Sequence, residues 1–337
     1  MSTIPVTVLT GFLGAGKTTL LNRLLRDPAL AGTAVLVNEF GEIGIDHLLV
    51  ERLDGDTVLL NAGCLCCTVR GDLVRALRDL AGRDIRRVVV ETTGLADPAP
   101  ILQTLMAEPS LAARYRLDGV VTLVDAVAGM ATLDAQMEAV KQAAVADRLV
   151  LTKADLAAPE AVAALEARLR ALNPGAPLLR PDAPAAALLD CGLYDPAGKH
   201  PDVRRWLDAE AFTGHHHHHH HHDVSRHDAR IHSFCLTFDE PLPWDGLATW
   251  IDVLTTTRGE SLLRLKGILN LEGEERPVAI HGVQGLFHPP VMLERWPDGD
   301  DRRSRLVFIL RDLDRAVVEN GLRAFAESAR REREVLG

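Results

Sequence analysis

The feature that most constrains what this chain can fold into is a glycine-rich segment near its beginning, GFLGAGKT at residues 11–18. It follows an apolar run at residues 4–10 and precedes a helix-like stretch at residues 19–26. The order fits G-x-x-x-x-G-K-[ST], in which a buried strand enters a glycine loop that opens a helix. Glycines let such a loop adopt positive φ and approach a phosphate without a side-chain clash. The pattern predicts a phosphate-binding loop, with an ordinary glycine-rich turn as the alternative.

This loop has the chemistry of a nucleotide site. Backbone amides and the positive end of the helix dipole converge on one place, where they stabilise a β-phosphate. Lys17 adds a positive charge across the β and γ oxygens, and the Thr18 hydroxyl is placed to hold Mg²⁺. The candidate nucleotide-binding residues of the loop are Gly11, Gly14, Ala15, Gly16, Lys17, Thr18 and Thr19.

Up to about residue 173, short β-branched runs alternate with longer amphipathic ones. The candidate strands are residues 6–9, 34–37, 58–60, 87–91, 120–124 and 148–151. The candidate helices are residues 17–25, 72–80, 101–106, 137–146 and 159–172. Apolar strands separated by helices predict an α/β fold of the P-loop NTPase kind, a doubly wound and mostly parallel sheet covered on both faces. Ligands of such sheets bind at the carboxyl ends of the strands.

A second apolar run, residues 88–90, ends in Glu91 and continues into Thr-Thr-Gly. A carboxylate at the end of a strand beside the P-loop can hold Mg²⁺ directly or through water, and the amide of Gly94 can meet a γ-phosphate. Glu91 therefore joins Lys17 and Thr18 as a candidate catalytic residue and is, with Thr18, a candidate Mg²⁺ ligand. The alternative is a strand that simply ends at an exposed acid.

A third strand-like run, residues 149–151, leads into Thr152-Lys153-Ala154-Asp155. A carboxylate at Asp155 can accept hydrogen bonds from the ring N–H and the exocyclic amino group of guanine, and adenine offers neither at that edge. A wrong base would leave buried polar groups unpaired, which is a source of discrimination. The Lys153 stem can cover the purine face. Thr152, Lys153 and Asp155 thus predict GTP rather than ATP as the nucleotide.

Three of the five cysteines lie together at Cys64, Cys66 and Cys67. Neighbouring cysteines are poorly placed to form a disulfide, whereas thiolates select zinc and similar divalent ions. An extended segment would point Cys67 away from the other two, so a three-thiolate site requires a turn here. Glu42, Glu39 or a water can supply a further ligand. The alternative is a set of buried structural thiols.

Charge and hydropathy exclude two classes of partner. The net charge of -10 leaves no basic surface for general nucleic-acid binding. No uninterrupted apolar run reaches the roughly 20 residues of a membrane helix, and no charged region precedes the first apolar residues. We expect a cytoplasmic protein that binds neither nucleic acid nor membrane.

The sequence predicts three regions: a GTPase domain at residues 1–180, a linker at residues 181–229 and a C-terminal α+β domain at residues 230–333. The linker is rich in proline and contains eight consecutive histidines, His215 to His222. Because a purification tag is normally terminal, this internal run is interpreted as a flexible reservoir for metal ions. The C-terminal domain has candidate strands at 232–238, 262–270, 277–283 and 305–310 and candidate helices at 244–254 and 314–330.

The motifs, taken together, resemble those of the CobW-type GTPases, a metallochaperone branch of a P-loop family that includes the nickel-insertion GTPases of urease and hydrogenase maturation. The matching segments are GFLGAGKTTLLNRLL, NEFGEIGIDHLLV, NAGCLCCTVRGDL, ETTGLADPAP and TKADL. The resemblance implies phosphate binding at residues 11–18, Mg²⁺ at Thr18 and Glu91, guanine at Lys153 and Asp155, and a transition metal at the three cysteines.

The function expected from these residues is GTP-gated metal transfer. A γ-phosphate that draws in Gly94 can alter the ligand geometry at the cysteines, and so release a metal ion to a client metalloprotein or metal-inserting enzyme. Zinc is the first choice and cobalt the second. No water-positioning glutamine follows Glu91, so we expect slow hydrolysis unless a partner or a GTP-dependent homodimer completes the site. The alternatives are a cobalt carrier for cobalamin biosynthesis, a regulatory GTPase with structural cysteines, and a metal-storage protein.

Overall fold

The computed structural model describes residues 3–38, 58–62, 65–191, 230–296 and 299–336. These residues fall into two compact units, Met1–Asp195 and Pro196–Gly337.

Unit 1 is built on a seven-stranded sheet of order β3-β2-β4-β1-β5-β6-β7. All of its strand pairs are parallel, which confirms the predicted α/β fold. The strands are β1 (Ile4–Gly11), β2 (Thr33–Asn38), β3 (Val58–Ala62), β4 (Arg87–Glu91), β5 (Tyr115–Asp125), β6 (Arg148–Thr152) and β7 (Leu178–Leu179). All strands run in the same direction, so the loops that follow them gather at one edge of the sheet, the carboxyl edge.

The helices of unit 1 cover the sheet. They are α1 (Lys17–Leu25), α2 (Leu65–Asp79), α3 (Ala99–Ala107), α4 (Pro109–Ala112), α5 (Gly129–Ala135), α6 (Met137–Ala144), α7 (Pro159–Leu172) and α8 (Ala185–Leu189). Strand β1 lies in the middle, and Val8 and Leu9, which point to opposite faces, are both fully buried. Strand β1 is thus packed on both faces, and its carboxyl end holds the start of the P-loop in place.

Helix α2 begins earlier than the sequence indicates. It was expected over residues 72–80 and extends over Leu65–Asp79. The first part of the segment contains Cys, Thr, Val and Gly71, which have low helix propensity. For this reason the sequence pattern does not indicate the helix that this part forms in the folded chain. The segment of Cys66 and Cys67 is therefore the first turn of a helix rather than an extended strand.

The described beginning of the predicted linker is packed against unit 1 rather than open. The residues after 180 form α8, whose Leu188 and Leu189 belong to the core of the unit. The Arg148 guanidinium donates to the carbonyl oxygens of Ala187 and Asp190, each at 3.2 Å, and so ties α8 to β6. The predicted linker, residues 181–229, thus begins with a short apolar helix that packs against unit 1, which its prolines did not indicate. Residues 192–229, with the histidine run, lie outside the described residues.

The described residues of unit 2 form an antiparallel sheet and two α-helices. Its strands are β8 (Ile231–Phe238), β9 (Leu262–Leu269), β10 (Val278–Val283), β11 (Leu286–Phe287), β12 (Val291–Met292) and β13 (Ser304–Arg311). The sheet order is β11-β10-β9-β13-β8, with β12 paired to β10. The helices are α9 (Trp244–Arg258) and α10 (Arg315–Leu336), which bury residues such as Trp250 and Leu322 with Phe308 of β13. No helix among the described residues is both long and apolar enough to cross a membrane.

Candidate functional site

The P-loop connects β1 to α1 with a backbone that only glycine adopts readily. Gly14 has φ of 76° and Gly16 has φ of 88°, both in the left-handed region. Gly16 stands directly before α1, and the amide of Leu20 donates to its carbonyl oxygen at 2.9 Å. Gly11, at the end of β1, packs so closely that an added Cβ would lie 2.5 Å from the carbonyl oxygen of Leu123. The loop therefore presents backbone amides at the start of a helix, which suits an anionic group.

Two side chains hold the shape of the loop. The Lys17 ammonium donates to the carbonyl oxygens of Gly11 at 2.8 Å and Phe12 at 3.3 Å, so it lies over the loop. The Thr152 hydroxyl donates to the carbonyl oxygen of Ala15 at 2.9 Å. Thr152, predicted as a nucleotide contact, thus fastens the P-loop to β6. Thr19 is exposed on the first turn of α1.

Thr18 and Glu91 meet at the carboxyl edge of the sheet. The Thr18 hydroxyl donates to Oε1 of Glu91 at 3.2 Å, although 73 positions separate the two residues. Glu91 is 5% exposed, so it is not the exposed strand end that the sequence left open as an alternative. A hydroxyl and a carboxylate side by side are oxygen ligands of the kind that Mg²⁺ prefers, so these residues fit the ion. Bound there, Mg²⁺ would neutralise charge on the phosphates.

The segment after Glu91 lies directly on the P-loop. A Cβ added to Gly94 would be 2.5 Å from the backbone nitrogen of Leu13 and 2.7 Å from its Cα. The Thr92 hydroxyl donates to the hydroxyl of Thr10 at 2.7 Å. Only glycine fits at position 94 without displacing the loop, and this contact places the Gly94 segment beside the expected phosphate site.

The predicted base-recognition residues follow β6. Asp155 is exposed in a short turn, and Lys153 has φ of 55° just before it. The Lys153 ammonium lies 2.7 Å from Oδ2 of Asp125 at the end of β5. Burial opposes ionisation of Asp125, but hydrogen bonds from Lys153 and from the amides of Val127 and Ala128 outweigh it and hold the pKa of the carboxyl below its usual value.

Asp125 is a functional candidate that the sequence reasoning missed. The predicted strand stopped at residue 124, although the signal was present: an apolar strand ending in an acid, as β4 ends in Glu91. Because β5 neighbours both β1 and β6, an acid at its end faces the site from the side of the predicted base.

The predicted metal site is described only in part. Cys66 and Cys67 are on the first turn of α2, but nothing is described of their side chains. Cys64, Glu42 and Glu39 lie outside the described residues. Strand β3, which leads into this turn, is three strands from β1 in the sheet order, roughly 14 Å at the usual strand spacing. Within the described residues, no group of three or more His, Cys, Asp or Glu side chains is placed to hold a metal ion.

The parallel sheet, the P-loop and the acid at the end of the adjacent strand define a P-loop nucleotide-binding protein. The family model of the CobW/HypB/UreG nucleotide-binding domain matches residues 5–180, and that of the cobalamin synthesis protein CobW C-terminal domain matches residues 231–326. The chain belongs to the CobW/HypB/UreG family, which confirms the resemblance drawn from its motifs.

Three relatives align along most of the chain. The zinc chaperone YjiA of Escherichia coli is 34% identical, over 92% of this chain and 94% of its own. The zinc chaperone CobW of Pseudomonas aeruginosa is 33% identical, over 96% and 92%. The zinc-regulated GTPase metalloprotein activator 1 of Saccharomyces cerevisiae is 28% identical, over 96% and 84%.

Two crystal structures of the E. coli YjiA GTPase share the fold. The zinc-bound protein has a TM-score of 0.69 and 28% identity, and covers 96% of this chain and 99% of its own. A triple mutant, in which a glutamate and two cysteines are replaced by alanine, has the same TM-score and is also zinc-bound. Zinc binding in that protein therefore does not depend on those three side chains alone.

Proposed function

We propose that this chain is a GTP-dependent metallochaperone. It binds GTP with Mg²⁺ at the P-loop and hydrolyses it slowly. It binds a divalent metal ion, zinc in the first place, through Cys64, Cys66 and Cys67 with Glu42 as a further ligand. It passes that ion to a client metalloprotein or metal-inserting enzyme under the control of the bound nucleotide.

The observation that best supports the proposed GTPase activity is the 3.2 Å hydrogen bond between Thr18 and Glu91. It joins the helix that receives the phosphates to the strand end that completes the Mg²⁺ site. Thr18 and Glu91 would hold the ion, Gly94 would meet the γ-phosphate, and Lys153 and Asp155 would receive the guanine. The relatives named as GTPases support this assignment.

The topology supports coupling between nucleotide and metal. The Gly94 segment runs into α3, and α3 packs against α2, whose first turn contains Cys66 and Cys67. A shift of Gly94 towards or away from a γ-phosphate can thus reach the cysteine turn through two packed helices. The relatives named as zinc chaperones favour zinc as the ion that is carried.

The deciding experiment measures zinc affinity in two nucleotide states. Competition with a chromogenic chelator gives the Kd of the chain for Zn²⁺ with GDP and with a non-hydrolysable GTP analogue, both with Mg²⁺. We expect a difference of about tenfold, which requires only about 1.4 kcal/mol of coupling. We also expect a Cys66→Ser, Cys67→Ser double variant to lose the tight zinc site. Equal affinities in the two states would refute the gating.

Because the triple mutant of YjiA is still zinc-bound, the presence of zinc alone is not a sufficient readout. Affinity and stoichiometry must both be measured. Deletion of His215 to His222 should lower the stoichiometry and leave the tight site intact if the histidine run is a reservoir. High stoichiometry with weak, GTP-indifferent binding would instead indicate metal storage, and nucleotide cycling without metal binding would indicate a regulatory GTPase. A Zn²⁺ against Co²⁺ competition tests the cobalt-carrier alternative.

A GTP-dependent homodimer is the proposed source of the group missing for fast hydrolysis. The described residues of unit 1 contain four exposed large apolar side chains, and all four lie in loops at the carboxyl edge of the sheet: Leu13, Leu95, Val127 and Leu156. Such a cluster beside the nucleotide suits contact with a second copy. Light scattering with the GTP analogue should show a dimer that Leu95→Ser weakens, and a monomer at every concentration would rule the proposal out.

A further inference from the structure

Two consecutive residues of α6 hold the segment that joins β4 to α3. The side-chain amide of Gln142 donates to the carbonyl oxygens of Gly94 at 3.3 Å and Ala96 at 2.9 Å. Beside it, the Lys141 ammonium lies 2.8 Å from Oδ2 of Asp97. We call Lys141 and Gln142 the α6 clamp, because they bind segment 94–97 at three of its four positions.

The helix that carries the clamp is itself fixed. Gln142 is 1% exposed, and its backbone carbonyl accepts a hydrogen bond from the Thr122 hydroxyl at 2.8 Å. At the end of the helix, the side-chain amide of Asn173 donates at 2.9, 3.1 and 2.9 Å to the carbonyl oxygens of Ala143, Ala144 and Ala146. The clamp therefore acts on segment 94–97 from a rigid support.

Sterics decide in which direction the segment can move. A Cβ on Gly94 would lie 2.5 Å from the backbone nitrogen of Leu13, so the segment already touches the P-loop. It cannot approach Leu13 further, so a displacement of the segment away from the P-loop would loosen this contact. The position held by the α6 clamp is thus the docked limit of the segment.

We propose that Lys141 and Gln142 are positioning residues that keep segment 94–97 docked on the P-loop and thereby favour a nucleoside triphosphate over a diphosphate. The inference rests on the proposed GTPase function. Gly94 is the residue expected to meet the terminal phosphate, which the diphosphate lacks. A segment released from the clamp is docked for less of the time, so triphosphate affinity falls while diphosphate affinity remains.

The test compares the Kd of the full-length chain for GDP and for a non-hydrolysable GTP analogue, both with Mg²⁺. Gln142→Met keeps the side-chain volume and removes the donor, and it should reduce the preference for the analogue about tenfold. Lys141→Gln and Asp97→Asn each remove one charge, and each should reduce the preference for the GTP analogue over GDP about threefold. Asparagine at position 97 retains an acceptor for the amide of Ala99, which bonds Asp97 at 3.0 Å.

A double-mutant cycle tests whether Lys141 and Asp97 act through their ion pair. The double variant of Lys141→Gln with Asp97→Asn should be no worse than either single variant, because both remove the same contact. Arg170→Gln is the matched control: it breaks a 2.9 Å ion pair with Glu166 on α7 and should leave the nucleotide preference unchanged. A structural defect would lower the affinities for GDP and for the GTP analogue together. The ratio of the two affinities therefore distinguishes a positioning role from an effect on stability.

The outcomes are distinguishable. An unchanged GDP-to-analogue ratio in Gln142→Met and in Lys141→Gln, with normal binding by the wild type, overturns the clamp and leaves the GTPase proposal in place. A wild-type chain that binds neither nucleotide overturns both. If Gln142→Met fails to fold, the ion-pair variants decide, because Lys141 and Asp97 are partly exposed and their loss is tolerable.

Discussion

The ammonium of Lys153 is paired with Oδ2 of Asp125 at 2.7 Å, across the carboxyl ends of two neighbouring parallel strands. In the proposed nucleotide site, where the Lys153 stem covers the purine, this pair would hold the lysine in place. Asp155, two residues further on, is exposed. In the proposed site, Asp125 would thus position the lysine that covers the base, and Asp155 would recognise the edge of the base.

Asp155→Asn should reduce guanine selectivity. The substitution keeps the size of the side chain but removes the charge that accepts both guanine donors, so we expect the affinity for a GTP analogue to fall about 10- to 100-fold. The affinity for the matching ATP analogue should hardly change, because adenine does not present those donors. Titration with fluorescent analogues of both nucleotides measures the ratio. A guanine preference equal to that of the wild type would remove Asp155 from the site.

Asp125→Asn should act on both purines alike. It loosens Lys153 without touching the base edge, so we expect the affinities for GTP and ATP analogues to fall together by about two- to fivefold, the range of a partly exposed ion pair. Because the pKa of Asp125 lies below its usual value, the wild-type pair should persist through mildly acidic pH and be lost only as the pH falls below about 4. A selective loss of GTP binding in Asp125→Asn would contradict this division of roles.

Glu91→Gln should uncouple nucleotide binding from Mg²⁺. The amide retains an oxygen beside Thr18 but not the charge that the ion needs, so we expect about a 10- to 100-fold loss of Mg²⁺ affinity in the GTP-bound state. Titration of Mg²⁺ against the bound nucleotide analogue measures it, and removal of Mg²⁺ by a chelator should make wild type and variant alike. Thr18→Ser, which keeps the hydroxyl, serves as the control and should remain close to the wild type.

Arg87→Met should destabilise unit 1. Arg87 bonds the 3% exposed carboxylate of Asp118 at 2.9 Å and also pairs with Asp190 at the end of α8. Burial raises the pKa of Asp118 and Arg87 opposes that rise, so loss of the arginine leaves a buried carboxyl with Arg116 at 3.8 Å as its nearest cation. We expect the free energy of unfolding to fall by about 3–5 kcal/mol.

Urea unfolding followed by far-UV circular dichroism measures the effect of Arg87→Met. Asp118→Asn added to Arg87→Met should recover part of the loss, because it removes the charge that was stranded. All four tryptophans lie beyond residue 195, so a transition seen by circular dichroism but not by tryptophan fluorescence belongs to unit 1. A double variant less stable than Arg87→Met would show that the charge is not the cause.

His281 should make unit 2 less stable in mild acid. Burial, followed by Arg264, Lys266 and His288, lowers the pKa of His281 well below its usual value, so the folded chain keeps it neutral. The unfolded chain protonates it below about pH 6.5, and stability is therefore fully present above that pH and falls by up to about 1.4 kcal/mol per pH unit below it. Tryptophan fluorescence during urea unfolding at pH 7.5 and 5.5 should show the loss, and His281→Gln should reduce it.

The parts of the fold that the sequence predicts well are those decided by local pattern. The bounds of β4, α1 and α7 agree with the structure, because an apolar strand, a P-loop and a proline-started helix are strong local signals. The beginning of α2 and the whole of α8 were missed. The weak helix propensity of cysteine and threonine concealed the first of these. Helix α8 lies in a proline-rich surrounding and depends on the packing of Leu188 and Leu189 in the core of unit 1.

The predicted site shows the same division. Thr18 and Glu91 could be paired in advance, because both motifs end at the same edge of a parallel sheet. The α6 clamp could not, since Gln142 and Lys141 reach residues 44 to 48 positions away along the chain. Only the crossing of α6 over the segment after β4 brings them together, and no periodicity in the sequence encodes that crossing.

Strand β1 acquires its neighbours late, because it pairs with β4 at residues 87–91 and with β5 at residues 115–125. A ribosome adding about 5–20 residues per second would need roughly 5 to 20 seconds to reach β5 after making the P-loop. Until β5 has been made, β1 lacks one of its two neighbouring strands, so the glycine segment at its end is supported by the sheet on one side at most. The support of the P-loop is thus complete only when more than a third of the chain has been made, although the loop itself is among the first parts to be synthesised.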